Sequence, residues 1–133
     1  MGRRAARLAV GAAGLWLAAL AVLAVLGCPS TTSSSAEAGE AVVRRFFQAL
    51  PTGDCAVLGP MLVTGQGVPS CEETVQDLRR HGMGLVDVLD AKVDGRDPDA
   101  VVVRARVSQG GTERSEPFLF RVERQGDGWR LRL

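Results

Sequence analysis

A chain of 133 residues with a net charge of +1 has room for one modest domain. Three arginines before residue 8 and no acidic residue before Glu37 leave the remainder at −2, so both signs are interspersed over it and no electrostatic footprint for nucleic acid is present. A single histidine and the lack of any C-x-x-C spacing argue against a zinc site, and no cofactor is called for.

Leu8 to Leu26 is an uncharged run of leucine, alanine, valine and glycine with one tryptophan, Trp16. Its 19 residues rise about 1.5 Å each, close to the bilayer core of about 30 Å. Basic residues precede it and none immediately follows, which predicts a cytoplasmic N-terminus and a domain on the extracytoplasmic side of the cell membrane. Residues 1–28 therefore read as an export signal or an N-terminal anchor helix. The run ends Val25-Leu26-Gly27-Cys28, which resembles the lipobox of bacterial lipoproteins and would make Cys28 the lipidated residue. The length of the run, the bulk of Leu26 and the following Pro29 fit an uncleaved transmembrane anchor instead. Both readings tether the domain to the membrane. The serine/threonine tract 29–35 has nothing to bury and reads as a flexible tether.

Residues 36–133 read as an α+β domain. Ser34 with Glu37 has the spacing of a capping box, which starts the first helix near Ser34 or Ser35. Val42, Phe46 and Leu50, flanked by Val43 and Phe47, form its apolar stripe, and Pro51-Thr52-Gly53 stops it. Asp54 caps a short helical stretch, Cys55 to Leu62, that Gly59-Pro60 disturbs. A second capping box, Ser70 with Glu73, opens a helix placing Cys71, Val75 and Leu78 on one face, with Gly82 as its left-handed stop.

Four strands follow. Leu85 to Val93 alternates imperfectly; Ala100 to Ser108, Phe118 to Glu123 and Trp129 to Leu133 alternate well. The turns between them lie at 94–99, at Gln109-Gly110-Gly111 and at Gln125-Gly126-Asp127-Gly128. Arginine occupies the off-beat at positions 104, 106, 121, 130 and 132, as the wet face of a half-buried sheet requires. Fifteen arginines against one lysine, with no isoleucine, asparagine or tyrosine, indicate high-GC codon usage, which reduces the functional weight of that row.

Three cysteines in an exported chain leave one over. Lipidation of Cys28 would leave Cys55 and Cys71 to pair in an oxidising compartment; the other reading is two unpaired buried cysteines. His81 lies ten residues beyond Cys71, nearly three helical turns away, which makes a thiol–histidine pair along that helix unworkable.

Phe46-Phe47-Gln48-Ala49-Leu50, then Gly53-Asp54, then strands closing on Gly126-Asp127-Gly128-Trp129-Arg130-Leu131 resemble the nuclear transport factor 2-like (cystatin-like) superfamily. Within it the chain is most similar to small exported or lipid-anchored members from high-GC Gram-positive bacteria. The likeness covers Ala36 to Leu133 and implies a curved antiparallel sheet of about four strands wrapped around two to three helices as a cone. It implies that Phe46, Phe47, Leu50, Leu78, Phe118, Phe120 and Trp129 fill the core or line an apolar cavity. Enzymes of the superfamily place an Asp or His base in the cone beside a tyrosine or acid donor. Here there is no tyrosine, and the available bases are Asp54, Asp87, Asp90 and His81. Asp87 and Asp90 are expected on opposite faces of one strand, so that at most one points inward. No catalytic constellation emerges. The roles left are binding of a small apolar ligand or an envelope protein, with homodimerisation through the sheet face, and no enzymatic activity; the alternatives are a structural accessory of a cell-envelope complex and an isomerase- or cyclase-like enzyme that uses an inward Asp87 or Asp90.

Overall fold

The computed structural model describes residues 31–133. Three helices and two 3-10 turns precede an antiparallel sheet, in the order α1 (Thr31–Ala49), α2 (Cys55–Leu58), α3 (Cys71–Arg80), β1 (Gly84–Asp94), β2 (Asp97–Gln109), β3 (Thr112–Glu113), β4 (Phe118–Gln125) and β5 (Gly128–Arg132). The sheet order is β1-β2-β4-β5, with the short β3 paired to the end of β2. The α+β class and the antiparallel sheet agree with the sequence reading. The predicted anchor and Cys28 lie outside the described residues, among which no helix is long and apolar enough to cross a membrane.

One boundary is corrected. α1 is already helical at Thr31, so Ser34 and Glu37 lie within the helix and do not cap it, and residues 31–35 of the predicted tether belong to α1. Val42, Val43, Phe46, Phe47 and Leu50 are all buried along its inner side. A Cβ placed on Gly39 would come within 2.6 Å of Val101, so a residue without a side chain lets α1 settle directly onto β2.

The second and third helices follow their local signals. The Asp54 carboxylate accepts the Ala56 N–H at 2.9 Å. At α3, Ser70 Oγ accepts from the Glu73 N–H while the Glu73 carboxylate accepts from the Ser70 N–H, a complete capping box. Its far end closes on Gly82 at φ +59°, with Gly82 N–H donating to Arg79 O and Met83 N–H to Leu78 O, a Schellman stop. A Cys55–Cys71 disulfide ties α2 to the start of α3 across a Cα–Cα distance of 6.0 Å.

Val101, Val103, Ala105 and Val107 of β2, Phe120 and Val122 of β4 and Leu131 of β5 form a fully buried inner face under α1. Phe47 meets both Phe46 and Phe120 edge-on, with ring centroids 5.6 and 5.3 Å apart. The space between α1 and the sheet is therefore packed with side chains.

β1 departs from simple alternation. Leu85 pairs with Val107 and Asp87 with Arg106, then Val88 with Ala105 and Asp90 with Arg104, so Val86 and Leu89 are each an extra residue. Two β-bulges turn the period of two into a period of three. Asp87 and Asp90 consequently share the outer, arginine-bearing face, against the expectation that they would point opposite ways. The bulges also leave Val86 and Leu89 exposed along the sheet edge, where they spoil it as a template for further strands.

Candidate functional site: a groove between α3 and the end of β4

β5 pairs with β4 only from Gly128, opposite Gln125, to Arg132, opposite Arg121. β4 starts three residues earlier, so Phe118, Leu119 and Phe120 continue past the last paired residue of β5. Across from them stands α3. Between the two runs an open groove of about 950 Å³. Its apolar lining comes from Leu78 on α3, Phe118 and Leu119 on β4, Val68 and Pro69 on the preceding loop, and Leu133. Leu119 is 62% exposed and Leu133 is 39% exposed, both large for apolar side chains. The sequence pattern had put Leu133 inside with Trp129 and Leu131. It lies instead at the groove, 39% exposed.

Charges frame this groove. Glu73, Asp77 and Arg80 line it from α3, and Arg121 and Arg132 from the sheet. The two sheet arginines are committed elsewhere. Arg121 donates to Asp94 at 2.6 Å, Asp97 at 2.7 Å and Glu123 at 2.8 Å, and Arg132 donates twice to Glu123 at 2.8 Å. Hydrogen bonds from Arg132 and Arg121 outweigh burial and hold the Glu123 carboxyl at about 2, well below the ordinary glutamate range. The Asp94 carboxyl is also held low, first by the backbone N–H of Arg96 and then by Arg121. Arg104 pairs with Asp90 at 2.6 Å and Arg106 with Glu113 at 3.0 Å. The predicted arginine row is thus largely an ion-pair lattice on the outer face.

The seven aromatic and leucine positions proposed as core or cavity separate into three places. Phe46, Phe47, Leu50 and Phe120 are buried in the packed centre. Leu78 and Phe118 line the groove at α3. Trp129 lines a second open groove of about 740 Å³ with Val57, Pro60, Met61 and one side of α1, from Ala38 to Ala49, its ring stacked on the Arg124 guanidinium at 4.7 Å.

The candidate bases do not converge on either groove. Asp54 is the α2 cap. Asp90 is engaged by Arg104, and Asp87 lies 3.9 Å from both Arg44 and Arg106. His81 ends α3 with its Nδ1 2.9 Å from the Asp77 carbonyl oxygen. Among the described residues, no group of three or more His, Cys, Asp or Glu side chains is placed to hold a metal ion.

Sequence reasoning missed Leu119, Leu133, Val68 and Pro69. The signal available was Leu119, a large apolar residue on the beat otherwise held by Arg121 and Glu123. No protein-family model matches this chain, and no curated protein matches it.

Proposed function

We propose that this chain is a membrane-tethered extracytoplasmic binding module of the nuclear transport factor 2-like type, lipidated at Cys28, whose ligand occupies the groove between α3 and β4. The observation that carries the reading is the apolar groove itself, of about 950 Å³, with Leu119 and Leu133 left exposed at its rim. Concave apolar surface of this size is what ligand sites use, and single-chain proteins seldom leave it uncovered without a role. The ion-paired placement of Asp87 and Asp90 outside the cone supports binding over proton abstraction by an inward carboxylate. The filled centre supports a rim site over a ligand deep in the cone.

A photoreactive benzoylphenylalanine placed at Leu119 of the full chain, in membranes of the producing cell, tests this. Recurrent adducts at Leu119, absent when the same group replaces exposed Val57 beside the second groove, are expected. Equal, unspecific labelling at both positions would remove the α3–β4 groove as the site.

A further inference from the structure

One wall of the binding groove is a single stretch of chain. Every groove residue opposite the sheet, from Gly67 on the loop to Arg80 on α3, lies between Thr64 and Gly82. Hydrogen bonds hold the two ends of that stretch. At its start the Thr64 N–H donates to Gln125 Oε1 at 3.0 Å, and the Gln125 side-chain N–H donates to Thr64 O at 2.7 Å. At its finish the Gly110 N–H is shared between His81 O and Gly82 O, 3.2 Å from each. A Cβ on Gly82 would sit 3.0 Å from Gly110 N, so a bare glycine at φ +59° joins α3 to the sheet. Between those ends the stretch from 65 to 80 buries only Val75. Its one cross-link among the described residues is the Cys55–Cys71 bridge.

Both cysteines are only partly buried, at the margin of the core. Thiol–disulfide exchange needs a thiolate to reach one sulfur, and that position allows it where a bridge sealed in the core does not. We propose that Cys55–Cys71 is a redox latch on the groove. Closed, it holds α3 across from β4; opened by a dithiol protein of its compartment, it lets the wall turn about Gly82 and the ligand leave. The reductant's thiolate attacks one sulfur of the bridge, and the bonding pair leaves on the other, which takes a proton from water. The reductant's second thiol, once deprotonated, attacks its own partner sulfur in the mixed disulfide. The second cysteine is released as a thiol and the reductant closes as a disulfide. Exchange with an oxidised partner runs the same steps in reverse and relatches the wall. The effect is confined to the wall for two reasons. The largest core side chains, Phe46, Phe120 and Leu131, come from α1 and the sheet, and Ser70 with Glu73 closes the capping box within α3 itself. Opening the bridge therefore costs the groove its shape before it costs the domain its core. On the groove-binding reading, on which this rests, reduction releases the ligand.

The first measurement uses the unmodified full chain in lipid nanodiscs, with dithiothreitol as the dithiol, alkylation mapped at Cys55 and Cys71, and hydrogen exchange. Without denaturant, dithiothreitol should open the bridge and speed exchange of the α3 amides at least about tenfold, while Val103 and Val122 amides keep their protection. Oxidised glutathione should restore the slow exchange. A bridge that opens only once denaturant unfolds the domain would overturn the latch. So would α3 amides indifferent to reduction, or sheet amides that speed up with them, which mark a staple of the whole fold. The ligand is read in membranes of the producing cell with benzoylphenylalanine at Leu119. Combining Cys55→Ser with Cys71→Ser should cut the recurrent adducts at least about tenfold. That fall counts for the latch when Val103 and Val122 amides stay protected in the variant, and against it when they do not. Adducts undiminished in the variant would overturn control of the groove and leave the groove as a site. Adducts missing from the bridged chain as well would remove the groove reading itself, and control of it, whatever dithiothreitol does to α3.

Discussion

Glu123 is held by two guanidinium groups on the outer face, and its side chain keeps only 21% of its exposure. A carboxyl whose folded pKa falls from 4.5 to about 2 adds stability that is present above pH 4.5 and lost as the pH drops toward 2. The shift corresponds to about 3 kcal/mol at most, and the partly open setting brings the expected contribution nearer 2 kcal/mol. Glu123→Gln should therefore lower unfolding free energy by about 2 kcal/mol at pH 7, measured by denaturant titration, because it leaves Arg121 and Arg132 facing each other. The gap to the parent protein should narrow steadily between pH 4.5 and pH 2. A gap that stayed constant over that range would mean that Glu123 acts by packing alone. None of this was legible in the sequence, where residues 121, 123 and 132 are an unremarkable alternation of charge. Only the strand register brings Asp94 and Asp97, from the β1–β2 turn, onto the same arginine.

At the scale of elements, what could be read and what could not divide by the range of the cause. α3 was readable from end to end, because its start, stop and apolar face are set by residues within a turn of one another: Ser70 with Glu73, Gly82 after Arg79, and Cys71, Val75 and Leu78 at helical spacing. β1 was not, because a bulge is a property of the pair. Val86 and Leu89 become extra residues only against the spacing of β2. The site inherits this division. Leu78 was placed correctly on its helix, while the groove it faces depends on how α3 stands across from β4, which alternation does not specify. α3 itself makes few long-range attachments. Val75 is buried, Leu78 is half-buried, and the Cys55–Cys71 bridge anchors its first residue. Opening that bridge, which spans 16 residues, should cost about 3 kcal/mol on chain-entropy grounds. The double variant Cys55→Ser with Cys71→Ser should show that loss in its denaturant midpoint, and its α3 amides should exchange faster while β2 and β4 keep their protection. Uniform acceleration across the sheet as well would place the disulfide in the global fold and not in the groove wall.

At the largest scale, the described residues are arranged along one direction. α1 leaves only Pro29 and Ser30 between Cys28 and its first helical residue, so an anchor at Cys28 would set the domain close against the membrane surface. The packed centre, built from Phe46, Phe47, Phe120 and Leu131, stands beyond the Gly39–Val101 contact, and the α3–β4 groove opens at the other end of the sheet. A longer, flexible tether would let the groove face in every direction; were Cys28 the anchor, a helix that begins at Thr31 would restrict it. The proposed orientation depends on what residue 28 carries, and intact mass decides that. Protein purified from membranes should show a mass starting at Cys28 plus its lipid, with two further thiols alkylated only after reduction. A full-length mass with an unmodified Cys28 would exchange the lipid for an uncleaved helix through Leu8–Leu26. Thiols at Cys55 and Cys71 that alkylate without reduction would contradict the bridge, and with it the anchoring of α3 as a stable wall.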